Sequence, residues 1–407
     1  MLLYDKNVQE CDARKAPYLF VSMVQKKQNL EKHLHIICLD VPWPVNYGGV
    51  YDLFYKLQAL QSQNVKIHLH CFDNGRGEQP ELNNYCEEVY YYKRNTGHKG
   101  FTTDLPYIVA SRKNEALLNN LLKDDYPIFM EGVHCTYPVL DKRFDKRKKF
   151  VRIHNVEHHY YRQLYSCTKK LFNKLYYLWE SRALKKYEQQ LVNKATAFWA
   201  VTENDSAYYR NKLGCKTMDY LPLFLPPWQV SCKEGMGTFC LYHADLSVAA
   251  NEYAAIWLLE KVFKKIELPL VIAGKNPTAA LEKSVNENAH ACIVANPSER
   301  EMQDMIAKAQ INLLPCFNTT GIKIKLLNAL YNGRHCIVNE SMINGTGLKE
   351  LCHVAENENA FRERVEQLYH EPFNQAETEA RKKLLYSHFN NEASAKQMVK
   401  WIWETYI

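Results

Sequence analysis

The sequence predicts an α/β protein of two doubly wound parallel-sheet domains facing each other across a cleft. Three observations predict it. Strand-like apolar runs alternate with helical stretches of ten or more residues, the pattern of parallel sheets covered on both faces. A proline-rich stretch, Leu221-Pro222-Leu223-Phe224-Leu225-Pro226-Pro227-Trp228, interrupts the alternation, which then restarts. At 407 residues the chain is also too long for one ordinary core.

Taken in order, residues 1–33 are polar, lack a sustained period and are expected to be an extension, with Met23 an alternative start. The first domain, 34–221, has expected strands at 34–41, 65–72, 88–93, 127–131, 149–154 and 195–201. Its helices are expected at 114–122, in one long tract from about 158 to 192, and at 204–213. Residues 222–237 form the linker. The second domain, 238–390, has expected strands at 238–243, 268–273, 291–295, 311–315 and 335–338. Helices fall between them at 248–264, 278–287, 298–308 and 321–332, and two more follow at 357–370 and 375–388. A last helix, 392–405, lies in the closing segment 391–407.

Composition narrows the class. Hydrophobic residues are 46% and charged residues 24%, which is globular. No apolar run approaches the roughly 20 residues that span a bilayer, and no signal peptide is expected. The 13 cysteines form no C-x-x-C pair, and Cys38, Cys71, Cys240, Cys292 and Cys336 sit in strand-like runs. That is the usage of reduced core cysteines, so a cytosolic protein without disulfides or zinc is expected. The net charge of +7 is uneven: Lys142 to Lys194 holds 15 Lys/Arg against four Asp/Glu. Lys142–Lys149 contributes six cations; Lys169-Lys170, Lys174 and Lys185-Lys186 follow among Phe172, Tyr176, Tyr177 and Trp179. A basic face interleaved with aromatics suits an anionic membrane surface, and a solvated charged face explains it equally. No nucleic-acid module is recognisable, so no nucleic-acid partner is expected.

Ligands of doubly wound folds bind beyond the C-terminal ends of strands, so the chemistry belongs in those loops. The first loop contains Tyr47-Gly48-Gly49, where glycines at a helix start can admit an anion or simply make a turn. His154 ends the strand at 149–154 and can bond a sugar hydroxyl or take a proton, with Glu157 placed to orient it. His154, His158 and His159 do not share a helical face, so no metal site is expected. His134 is a second candidate for the cleft wall. The most informative stretch is Thr320-Gly321-Ile322-Lys323-Ile324-Lys325, opening a helix whose buried stripe is Ile322, Leu326, Ala329 and Leu330 and whose stop is Gly333. Lysines at a positive helix end are disfavoured by roughly 0.3–1 kcal/mol unless an anion binds there. A diphosphate reverses that sign; the alternative is that one lysine simply reaches solvent. Gly274 and Lys275, after the strand at 268–273, can add charge near the phosphates or be mere punctuation, as can Asp245.

The pieces P-W-P-x-x-x-G-G, F-V-R-I-H-N-V-E-H-x-Y-Y, Y-H-A-D-L-S-x-x-x-N, I-A-G-K-N-P and T-G-I-K-I-K-L-L-N-A-L-x-N-G occur in this order. Together, over about 34–405, they resemble group 1 glycosyltransferases of the family 4 type, a bacterial branch. The resemblance implies a GT-B fold of two Rossmann-like domains, with the last helix crossing back to the first. It implies transfer from a nucleoside diphosphate-sugar to a glycan or lipid-linked acceptor, with retention, without a metal or other cofactor, in polysaccharide or glycoconjugate assembly. Carried across, Gly48 and Gly49 line the diphosphate and acceptor side, and His154 stands by the reacting sugar. Gly321 to Lys325 hold the donor, with Lys323 and His154 as the catalytic pair; His134 and Glu157 lie on the acceptor side. Asn328 stands where the family keeps a ribose-binding carboxylate, Thr320 where another acid is common, and Asp245 and Asn251 where an Arg and a Lys are common. Two other classes stay open: a catalytically weak partner subunit of a glycan-assembly complex, and another GT-B enzyme such as an epimerase or phosphorylase.

Overall fold

The computed structural model describes residues 31–46, 48–168 and 170–406. Most of the expected extension, with Met23, and Tyr47 of the first loop lie outside the described residues. Two all-parallel sheets organise the chain. The first comprises β1 (Lys32–Cys38), β2 (Val65–Asp73), β3 (Glu88–Lys93), β4 (Ile128–Glu131), β5 (Lys149–Ile153), β6 (Ala197–Ala200) and β7 (Met218–Tyr220), in the order 3-2-1-4-5-6-7. The second comprises β8 (Cys240–Asp245), β9 (Leu270–Lys275), β10 (Ala291–Ala295), β11 (Ile311–Leu314), β12 (His335–Val338) and β13 (His353–Val354), in the order 10-9-8-11-12-13. Each order reverses once, between β1 and β4 and between β8 and β11, and such a switch point opens a crevice at the strand ends.

The central strands fold as they do because both faces of each sheet are buried there. Neighbouring residues of one strand enter different cores: Ile37, Met130, Val151 and Phe198 on one side, Ile36, Phe129, Phe150 and Trp199 on the other. The principal helices are α1 (Gly48–Gln61), α2 (Glu157–Cys167), α3 (Leu171–Leu191), α4 (Glu203–Leu213), α5 (Ala249–Trp257), α6 (Ile324–Asn332), α7 (Gln375–His388) and α8 (Asn391–Lys400). Met398 and Ile402, in and after α8, belong to the core beneath the first sheet, where Trp401 meets Trp199 at 5.1 Å. The chain therefore ends on its first domain.

Several expectations need correction. β1 starts at Lys32, inside the expected extension. The single helix expected from about 158 to 192 is two, because Thr168 and Lys170 are extended at the break. β9 runs on through Gly274 and Lys275, which were expected in a loop. The helix expected from Gly321 begins at Ile324, and Gly333 closes it at φ −95°, outside the left-handed region. What requires glycine at 333 is space: a Cβ would lie 2.3 Å from Asn312 Nδ2. Cys292 is exposed, unlike the other four cysteines expected in the core.

The basic block divides. Arg143 pairs with Asp141 at 2.7 Å, Arg147 with Asp124 at 3.2 Å, Lys148 donates to the Ile402 carbonyl, and Lys149 is buried. Four of the six cations in Lys142–Lys149 are thus engaged or buried, while Lys142 and Lys146 stay exposed; the other exposed cations of the block lie mostly on the α2–α3 hairpin.

Candidate functional site

A cleft of about 610 Å³ lies between the two sheets, at the ends of their strands. The first domain contributes Gly49, Asp52, His134, His154, Glu157 and Tyr161, among others, and the second His243, Asp245, Asn251, Lys323, Lys325 and Asn328. Residues of two separate domains thus meet at two switch points, as the topology dictates.

The first wall rests on a charge network that the sequence reading missed. Lys56, fully buried on α1, donates to Asp52 Oδ2 at 2.8 Å and to Glu131 Oε1 at 2.5 Å. Arg152, on β5, donates to both oxygens of Asp52 and to the carbonyls of Leu221 and Pro222 where the linker begins. Burial alone would raise both carboxyls. Arg152 and Lys56 overcome it at Asp52, and Lys56 with the His154 hydrogen bond at Glu131, so both are held below the usual range. Asp52, Glu131 and His154 lie close enough to share a cation, but the Lys56 ammonium already sits against both carboxylates.

His154 lines the cleft and is oriented by Glu131, whose Oε2 is 3.0 Å from Nε2. The expected partner, Glu157, does not orient it; its recorded side-chain contact is with Asn155 Nδ2, at 3.4 Å. Burial and the nearby Glu188 push Glu157 up to about 8, so it presents a protonated carboxyl at neutral pH. His134 lines the wall as expected, and burial followed by Arg112 holds its ring neutral. One imidazole nitrogen on each wall, His134 Nδ1 and His243 Nε2, has no hydrogen-bond partner among the described residues.

The second wall is cationic. Lys323 caps α6 and turns Nζ onto the carbonyls of Thr320 and Gly321, at 2.7 and 2.8 Å. Lys325 reaches Asn251 Oδ1 at 3.2 Å and lies 5.0 Å from the Tyr242 ring centroid. Burial lowers both ammonium groups, Lys325 to about 8. Together with the first free amides of α6 they form a positive corner. Asn328 lines the same side, its Oδ1 accepting from Asn332 Nδ2 at 2.7 Å.

Other expected donor residues stand elsewhere. Thr320 and Gly321 do not line the cleft; they fasten the second domain to the first. Thr320 Oγ1 donates to Asp205 Oδ1 at 2.8 Å and accepts from the Val156 amide, and the Gly321 amide donates to Asp205 Oδ2 at 2.9 Å. Gly321 sits at φ +68°, and a Cβ there would lie 2.3 Å from Asn155 Oδ1 and 2.6 Å from the His154 carbonyl oxygen. Gly274 faces β8, where a Cβ would meet the Ala244 carbonyl at 1.8 Å, so it serves strand packing. Lys275 spans the rim and donates to the Asn46 carbonyl at 2.9 Å.

Two parallel-sheet domains facing across a cleft, each contributing one wall of the site, define a GT-B glycosyltransferase fold. Comparison with known proteins agrees. Residues 239–371 match the sequence profile described as Glycosyl transferases group 1. An uncharacterized 44.6 kDa protein in the cps region of Klebsiella pneumoniae is 24% identical over 329 residues, covering 77% of this chain and 84% of that protein. Among solved structures, TarM superposes with a TM-score of 0.67 at 11% identity, over 92% of this chain and 99% of its own. A Rickettsia africae glycosyltransferase gives 0.62 at 12% identity, over 92% and 100%. Anabaena HepE, crystallised with UDP and glucose, gives 0.60 at 8%, over 91% and 99%. The resemblance to group 1 glycosyltransferases read from the sequence motifs therefore holds, in profile over the second domain and in fold over about 92% of the chain.

Proposed function

We propose that this chain is a retaining, metal-independent glycosyltransferase that moves a sugar from a nucleoside diphosphate-sugar to an acceptor hydroxyl. Its setting is the assembly of a capsular or related surface polysaccharide. The observation that carries the reading is the pairing of opposite walls. Lys323, Lys325 and the start of α6 offer a diphosphate two ammonium groups and free amides. Across the cleft, His154 Nε2 is held by Glu131, which leaves Nδ1 for a sugar hydroxyl. The protonated Glu157, which also lines the cleft, suits the same neutral, hydroxyl-rich ligand. Charge leaving with the diphosphate is met by fixed cations, which is the work a metal does elsewhere. HepE's complex with UDP and glucose supports a nucleoside diphosphate donor, and the relative's cps setting supports the pathway class.

The test is a thermal-shift screen of the purified chain against UDP, GDP, CMP and ADP, repeated with Lys323→Ala and Lys325→Ala. One diphosphate is expected to raise the melting temperature, less so in either variant. Product anomericity by NMR and activity in EDTA then test retention and metal independence. No stabilisation at millimolar nucleotide rejects the donor site. The second reading, a partner subunit, is favoured by Asn328, an amide bonded to Asn332 where the family keeps a carboxylate. Transfer or donor hydrolysis by the purified chain removes it.

A further inference from the structure

We propose that the α2–α3 hairpin docks this chain onto an anionic lipid surface. Residues 157–194 contain eight Lys/Arg and three Asp/Glu. The three acids, Glu157, Glu180 and Glu188, are all buried. Glu180 accepts from the Tyr107 and Ile108 amides, and Glu188 from the Glu157 and His158 amides and from Tyr209. The hairpin thus presents no acidic side chain of its own to solvent, while Arg162, Lys170, Arg182, Lys185 and Lys186 are exposed.

An apolar ridge lies among these cations. At the start of α3, Leu171, Phe172 and Leu175 are 69%, 88% and 60% exposed. Phe101, 52% exposed, extends the ridge by stacking on Trp179 at 4.9 Å. Phe172, Leu175, Trp179, Arg182 and Lys186 follow at i, i+3, i+7, i+10 and i+14, which is one helical face. That face is apolar at the tip and cationic beyond it. Such an arrangement inserts its tip among acyl chains and sets its charges at the phosphate level. A water-facing helix gains nothing from a phenylalanine so exposed. No helix among the described residues is long and apolar enough to cross a membrane, so the hairpin rests on the surface.

The ridge is continuous with the cleft. Tyr160 and Tyr161 of α2 line the cleft, and the Tyr161 ring lies 6.2 Å from Tyr176 and 6.0 Å from Tyr177 of α3. On the glycosyltransfer reading, docking here presents the first-domain wall to an acceptor held at the membrane by a lipid anchor; the docking itself does not depend on that reading.

The test is co-sedimentation of the full chain with vesicles of phosphatidylglycerol and phosphatidylethanolamine, and with phosphatidylcholine vesicles as the neutral probe. Binding is expected to the anionic vesicles, to weaken with salt, and to fall at least about tenfold in Phe172→Ser/Leu175→Ser and in Lys170→Glu/Arg182→Glu. Both pairs are exposed, and nucleotide-induced stabilisation, measured on the same samples, should match wild type. Absence of vesicle binding, equal binding to the neutral vesicles, or binding untouched by both double variants would overturn the proposal. So would self-association that Phe172→Ser abolishes, because a second copy would then cover the ridge. Vesicle binding without any nucleotide response would leave the docking standing and reject the donor site instead.

Discussion

The two walls of the cleft solve the same problem, buried charge, in opposite ways. In the first domain Asp52, Glu131, Lys56 and Arg152 neutralise one another, and His154 is held by one of them. In the second, Lys323 and Lys325 hydrogen-bond two carbonyls and an amide oxygen and are depressed by burial. A closed network fixes geometry and asks nothing of a ligand. An open cationic corner carries a desolvation penalty that an arriving anion relieves. The first wall should therefore respond to mutation as structure, and the second as affinity.

The largest expected effect comes from breaking the closed network. Lys56→Met leaves Glu131 buried without its ammonium partner, and unpairing a buried ion costs about 3–5 kcal/mol. Urea denaturation should show that loss with nucleotide absent. A loss below about 1 kcal/mol would mean that the network is not what holds this wall.

Lys325→Met should do the reverse. Removing one charge-assisted contact of about 1.5–3 kcal/mol weakens diphosphate binding roughly ten- to hundredfold, read by calorimetry. Without ligand the variant should be at least as stable as wild type at pH 7. The sign follows from burial lowering Lys325 to about 8: between there and its usual 10.5 the unfolded chain holds the extra proton. Wild-type stability therefore rises with pH through that window, and the advantage of the variant closes. Binding of an anion re-protonates Lys325, so affinity should fall above about pH 8, and proton uptake on binding should vanish in the variant.

These contrasts show what a linear chain reveals. The alternation of runs located β1–β6 and β8–β12 because each is a mostly apolar or aromatic run of at least four residues. It missed β7 and β13, which have three and two residues at sheet edges. His154, Lys323 and Lys325 were legible because strand ends and helix starts face the cleft by topology. Glu131, Asp52 and Asp205 were not, because their partners lie up to 172 positions away. Local signals did exist. Asp52 and Lys56 stand at i,i+4 on a helix that is otherwise mostly apolar and aromatic, and Arg152 interrupts the buried run Phe150-Val151-Arg152-Ile153. A charge inside an apolar strand requires a buried partner, and that requirement pointed to a network before any partner could be named.

A smaller effect sharpens the first domain's self-sufficiency. On β1 and β2, His33 meets His68 and His35 meets His70, each pair 2.9 Å apart. His35 also contacts Asp124, and His70 contacts Tyr92 Oη. Burial lowers both His35 and His70 from 6.5, so the unfolded chain takes up the proton first. Their stabilisation is complete above about 6.5 and is lost as pH falls, with a limiting slope of about 1.4 kcal/mol per pH unit for each ring. Denaturation midpoints between about pH 7 and 5 should show this slope, and His70→Phe should flatten it.

The smallest expected effect lies where the two walls touch. Lys275 is exposed and donates to the Asn46 carbonyl across the rim, at 2.9 Å. A solvated contact of that kind contributes little, so Lys275→Ala should change stability by less than about 0.5 kcal/mol. Its effect on nucleotide binding decides whether the rim belongs to the donor site. If Lys275 only ties one domain to the other, calorimetry should show a change below about threefold in Kd, because Asp205 still fastens Thr320 and Gly321. A loss as large as that of Lys325→Met would instead place a third cation at the diphosphate, and the open corner would extend from α6 to the end of β9.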